Sequence, residues 1–251
     1  MTPGQHELRD LAWPDVPKRA MVLVPVGSVE QHGPHLPMDT DTVLAASVAT
    51  GVAAAVAFQL QEEVLVAPAV SYGSSGEHQS FAGTVSVGSS ALRSLVVELV
   101  RSLSTWAGRI IFVNAHGGNI AALAAAVRQL TAEQHNVAWL PCIVEGGDLH
   151  AGRTETSLML HLRPEAVRLE RSTAGEMRSI TEILPELKSG GVEAVSPSGV
   201  LGDPAGASAA EGLWLLELMV KDAAGRILSE DPDKNGMLAA RRQPANLQAL
   251  R

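Results

Sequence analysis

The sequence is short of cysteine, aromatic residues and basic runs, and each shortage closes off a class of protein. One cysteine, Cys142, in 251 residues excludes an intrachain disulfide framework. It also argues against a thiolate-built structural zinc site, and it suits a reducing compartment, so a cytoplasmic location is expected. Aromatics make up only 3% of the chain, which leaves Ala, Val and Leu to build the core. No Lys/Arg run offsets the net charge of −8, so neither nucleic acid nor an anionic membrane is expected as a partner. The opening stretch MTPGQHELRDLAWPDVPKR has no apolar segment and does not read as a secretory signal. The most apolar run, AASVATGVAAAVAFQL (45–60), contains Ser, Thr and Gln and is short for a bilayer span, so a buried helix is expected.

Alternating strand and helix signals are what the chain does contain. MVLVPV (21–26), VLVAPAV (64–70), RIIFVN (109–114) and NVAWLPCIV (136–144) read as buried strands. Helices are expected over 41–60, 89–107 behind a Ser cap, 120–134, 153–162 ended by Pro164, and 207–228. This alternation predicts an α/β fold, a three-layer α/β/α sandwich around a mostly parallel sheet. There is no internal repeat or linker, so residues 1–251 are taken as one domain. Residues 170–205 are irregular and rich in Gly, Pro and Ser; a lid or an oligomer contact is expected there. The tail from Ser229 reads as loose, and Trp13 as an anchor for the N-terminal arm.

Ligands of open α/β sheets gather beyond the carboxyl ends of the strands. Here each strand end delivers polar residues to that rim. VGSVEQHGPHLPMDTDT (26–42) brings Glu30, His32, His35, Asp39 and Asp41; the next strands bring Glu77 and His78, then His116, then Asp148, His150 and Glu155. Mixed imidazole and carboxylate ligands suit Zn, Mn or Fe, and a bridging carboxylate would hold two such ions close enough to activate a water. Less eventful readings stand beside these. His35 and Asp39 read as orienters of ligands, and Asp39 equally as a helix N-cap. Glu155 suits the favourable dipole of a first helical turn. Glu77 and His78 either touch a substrate or pin their loop. His6, His135 and His161 read as incidental, and Cys142 as a buried small apolar residue.

The segments VPVGSVEQHGPHLPMDTDT, GSSGEHQSFAGT, NAHGGN and HAGRTETSLML occur in order over residues 24–160. Together they resemble the creatininase family of metal-dependent amidohydrolases, and most of all a peptidase subgroup of it. The resemblance implies an α/β/α sandwich, homo-oligomers, two divalent metal ions per subunit (Zn, Fe or Mn) and hydrolysis of a C–N bond. In the subgroup, the substrate is a small ribosomal peptide already modified by a radical enzyme. Its C-terminal Val–Tyr-derived piece is released during maturation of a redox cofactor. By the same resemblance, Glu30 and His116 match ligands of the first metal, His32 a ligand of the second, and Asp41 the bridge. His150 matches a histidine near the substrate that could protonate the leaving amine.

One part of the pattern differs. Creatininase carries His-Tyr-Glu where this chain has His116-Gly117-Gly118. Creatinine is therefore disfavoured as substrate, and Glu155 is the candidate for the ligand so lost. The alternatives are another amidohydrolase of the family, acting on creatinine or on a formamide of flavin or deazaflavin synthesis, and a non-catalytic metal-binding scaffold. Arg153 is the only base in the motif loops, which weighs against a phosphorylated substrate.

Overall fold

The computed structural model describes residues 7–240. Four parallel strands form the sheet: β1 (Met21–Val26), β2 (Val64–Val66), β3 (Arg109–Asn114) and β4 (Val137–Pro141), in the order β2-β1-β3-β4. Met21 lies opposite Val64 on one side and Arg109 on the other, and Ile110 lies opposite Val137. The two-residue period of the strands then divides the core. Met21, Leu23, Ile111, Val113, Ala138 and Leu140 face one layer of helices. Val22, Val24, Ile110, Phe112, Val137 and Trp139 face the other. Both faces are covered, so the strands are apolar throughout and do not alternate with polar residues.

The first layer holds α1 (Thr40–Leu60), α4 (Arg153–Leu162) and α6 (Ala209–Ser229); the second holds α2 (Gly88–Leu103) and α3 (Ile120–Ala132). Among the described residues, α1 is the one helix long and apolar enough to cross a membrane. It is a core helix, with Ala45, Val48, Ala49, Val52, Ala53 and Val56 fully buried. Small side chains on α1 let β1, β2 and α6 all pack closely on it.

Several sequence expectations are corrected. The second strand stops at Val66: Ala67 N still donates to Leu23 O at 2.9 Å, but the next donor to β1 is Val70, one residue out of step, and only an isolated bridge from Val70 to Val26 resumes the pairing. The fourth ends at Pro141 and α2 ends at Leu103. The cap of α2 is not one of its own serines. Ser86 Oγ accepts from Gly88 N at 3.2 Å instead. Asp39 sits at the N-cap of α1 but makes no side-chain cap; its carboxylate binds Arg163 at 2.7 Å. Residues 170–205 contain a helix, α5 (Ile180–Val195), opened by a capping box of Ser179 and Glu182. Pro185 lies inside α5, and Gly191 (φ 70°) breaks it, which is why no helical signal stood out. Trp13 is 87% exposed, so it is no buried anchor among the described residues. Cys142 is half-buried against the first core layer, and burial pushes its thiol up, inert as expected of such a residue. The described part of the tail, to residue 240, is not loose but bonded to β4. Trp139 N donates to Gly236 O at 3.0 Å, Leu238 N to Trp139 O at 2.9 Å, and Leu238 is buried. His6 and the end of the tail lie outside the described residues.

Candidate metal centre

The chain leaves β1 towards one side of the sheet and β3 towards the other. The loops that follow therefore diverge and open a crevice beyond the carboxyl ends of these two strands. The loop after β1 is held flat on α1. A Cβ at Gly27 would lie 2.4 Å from Thr42 N, and Glu30 N donates to Met38 O at 3.1 Å. Asp41, in the first turn of α1, is thereby set against Glu30 and His32. Asn119 joins three loops: its amide donates to Gly27 O at 2.9 Å and accepts from Ser74 N at 2.9 Å. Asn114 donates to His116 O at 2.7 Å and fixes the turn that carries that histidine.

The residues expected as ligands do meet. Asp41 lies between two imidazoles, with Oδ1 3.2 Å from His32 Nε2 and Oδ2 3.5 Å from His116 Nδ1. Ser28 Oγ donates to the same Oδ2. Glu30 Oε2 is 3.2 Å from His116 Nε2, and Oε1 is 3.3 Å from His78 Nε2 and 3.9 Å from His150 Nδ1. Glu155 Oε2 accepts from Ala151 N at 2.6 Å and stands 3.9 Å from His32 Nε2. Its helix-terminal and site-facing readings therefore both hold. His32 Nδ1 bonds to Glu30 O at 3.1 Å, which turns Nε2 towards the two carboxylates. Three groupings of these side chains have ligand atoms close enough to share a cation: Glu30–Asp41–His116, His32–His150–Glu155 and Glu30–His78–His150.

Burial alone would strip His32 and His116 of their protons. The surrounding carboxylates, Asp41 first for His32 and Glu30 first for His116, outweigh it and lift them to about 10 and about 9. Burial wins at His78 and His35, which fall to about 4, and at His150, which falls well below its ordinary value. It would likewise raise Glu30, but His116, His78 and His32 hold that carboxyl low. Glu155 is pushed up to about 7 by burial and by Asp41; Glu77 is raised by burial, then by Glu30 and Asp41. Both Glu30 oxygens are buried without a hydrogen-bond partner, an arrangement too costly to keep unless something cationic faces them. The donor set fits divalent cations on that observation.

The cluster forms the floor of a cavity of about 730 Å³, a size usual for small-ligand sites. Its far wall is apolar and comes from α5, through Ile180, Leu184 and Leu187, with Lys188 beside them. Glu77 lines the cavity, with Oε1 3.5 Å from His116 Nε2, and so does His78, which is buried at the floor. Asp39 lies apart with Arg163, and His35 bonds to Thr156 at 2.8 Å. Arg153 is tied to Glu211, and Asp148 caps α4 through Thr154 N at 3.0 Å. His135 and His161 lie outside the cluster; His135 bonds to Ser104 at 2.9 Å. Sequence reasoning missed Gln31, Ser28, Asn114 and Asn119. Their one signal was adjacency, since each sits within or beside a segment already picked out for its ligands.

The family profile described as creatininase, creatinine amidohydrolase, matches residues 9–227. The mycofactocin precursor peptide peptidase of Mycobacterium ulcerans (strain Agy99) is 51% identical over 229 residues, covering 90% of this chain and 89% of its own. The creatinine amidohydrolase of Pseudomonas putida is 29% identical over 197 residues, covering 64% of this chain and 74% of its own. Among solved structures, a mutant creatininase of Zn-Zn type superimposes with a TM-score of 0.70 at 25% identity, covering 90% of this chain and 98% of its own. A manganese creatininase does so with the same TM-score and identity, covering 90% and 99%.

Proposed function

Because this chain belongs to the creatininase family and is thereby a hydrolase of amide bonds, we propose that it is a cytoplasmic, homo-oligomeric peptidase of mycofactocin maturation, releasing a Val–Tyr-derived piece from the modified precursor peptide. The reading rests on one arrangement: Asp41 set between His32 and His116, beside Glu30, on the floor of a cavity large enough for a peptide end. Glu30, Asp41 and His116 would hold one divalent cation, and His32 with the Asp41 and Glu155 carboxylates that face its Nε2 would hold the second, with Zn, Mn or Fe all suited to such donors. When bound, the ions would supply Lewis acidity for the scissile carbonyl and a water acidic enough to attack at neutral pH.

The chain's own residues do the rest. Ser28 and the Glu30 carbonyl hold Asp41 and His32 in place. His150, with Nδ1 towards Glu30 and the cavity, handles the proton that must reach the leaving amine. The apolar side chains of α5 receive the Val–Tyr-derived portion and keep water from it.

Creatinine suits the cavity less well. A Cβ at Gly118 would lie 2.2 Å from Ser74 O and 2.5 Å from Glu77 Oε1, so the turn has no room for the glutamate of creatininase. Glu77 reaches into that space from the neighbouring loop. The deciding experiment incubates the full chain, with its metal content determined by elemental analysis, with the radical-enzyme-modified precursor peptide. Mass spectrometry should show loss of the Val–Tyr-derived piece. A metal-loaded chain that left this peptide intact while hydrolysing creatinine would reverse the substrate assignment.

A further inference from the structure

Gln31 lies between two of the ligand candidates in sequence and is 5% exposed, and its side chain touches four other groups. Its amide oxygen accepts from Gly33 N at 2.8 Å. Its amide nitrogen donates to Gly199 O at 3.1 Å. One backbone donor and one backbone acceptor thus fix which end of the amide is which. Gly199 (φ +79°) is pressed against it: a Cβ there would fall 1.9 Å from Gln31 Oε1, so the loop at 199 is moulded to this one side chain.

The hydrogens can then be counted. The amide nitrogen has two. One goes to Gly199 O. The other goes to His78 Nδ1 at 2.8 Å, which must therefore be the bare nitrogen of that ring. The proton of a neutral His78 is left on Nε2, 3.3 Å from Glu30 Oε1. His150 Nε2 is 2.8 Å from the backbone oxygen of Gln31, which can only accept, so Nε2 carries the proton of His150. The Gln31 amide nitrogen, at 3.1 Å from the same atom, has no hydrogen left to give it. His150 Nδ1 is bare and faces Glu30.

We propose that Gln31 is a positioning residue that sets the tautomers of His78 and His150, one through its side chain and the other through its carbonyl. His78 then presents Nε2–H, not a lone pair, on the side of Glu30, at a 3.3 Å contact that makes no hydrogen bond with Oε1, so the Glu30–His78–His150 grouping is no third cation site. His150 offers a lone pair at Nδ1, so it accepts a proton there before passing one on. That last consequence rests on the hydrolytic reading above; the tautomers themselves do not.

The test is long-range ¹H–¹⁵N correlation on the zinc-loaded full chain labelled at histidine, with signals assigned by single His→Gln variants. Both rings should be neutral Nε2–H tautomers. Either ring found as Nδ1–H, or His78 with zinc on Nε2, overturns the proposal. Gln31→Glu retains the size but has no hydrogen to give. It should move His78 to Nδ1–H or to the imidazolium and lower kcat by about 10–100-fold, with KM within about twofold. An unchanged His78 signal in a folded Gln31→Glu chain overturns the proposal as well. If Gln31→Glu does not fold, the wild-type spectrum still decides. The signals are read whether or not the chain cuts the peptide, so a wrong substrate and a wrong tautomer are told apart.

Discussion

The floor of the cavity and its far wall come from different kinds of chain. The floor is carried by loops leaving β1 and β3; Asn119 bonds loops to one another, and Asn114 fixes the turn of the second. Its ionisable groups are buried and mutually oriented, and sheet and helices pack beneath them. The wall is α5, interrupted by Pro185 and Gly191 and packed on a small apolar cluster of Ile183, Val192 and Leu201, apart from both main core layers. Its cavity-facing Ile180 and Leu184 are 43% and 40% exposed. Reaction geometry demands fixed atoms, whereas recognition of an apolar group needs area and tolerates movement. The two meet at Gly191, where a Cβ would lie 2.7 Å from Glu77 O, so the break in α5 is seated against the turn bearing Glu77 and His78.

Substitutions can break or sharpen this contrast. The largest effect is expected at the floor's centre: Asp41→Ala should lower turnover at least about 10³-fold and lose bound metal, read by kinetics and elemental analysis. Full activity with full metal content would remove Asp41 from the centre. His150→Ala should slow kcat by about 10²-fold while retaining the metal, since general acid–base groups contribute on that scale. Metal lost in that variant would make His150 a ligand. The smallest effect belongs to the wall: Leu184→Ala with Leu187→Ala should raise KM about tenfold and leave kcat nearly unchanged, as trimmed apolar contacts cost roughly 1–3 kcal/mol. A collapse of kcat with unchanged KM would mean that α5 shapes the chemistry and not only the recognition.

The same contrast explains what the sequence disclosed. Glu30, His32, Asp41 and His116 were legible because each follows a strongly apolar strand, and the strand-end rule then brings them to one rim. The strands and the helices of both layers were legible for the same reason, since Val- and Ala-rich runs carry clear periods. The wall was not, because Pro185 and the pair Gly190–Gly191 erase the helical signal over 180–195 although the chain folds as α5. Gln31 escaped notice for another reason. A glutamine has no charge to draw attention, and its partners at 78, 150 and 199 are distant in the chain. Glu77 and His78 looked alike as neighbours in one loop and both line the cavity, but Glu77 is half-buried there while His78 is buried and tied to Gln31.

The tail that doubles back along β4 has one more effect. Met237 bridges to Trp139, and Trp139 Nε1 donates to Asn235 O at 3.0 Å, so the outermost strand on that side already has a backbone neighbour. A chain cut back to about residue 230 would bare this border as a template for strangers, and sticky, polymerising protein would be the expected result.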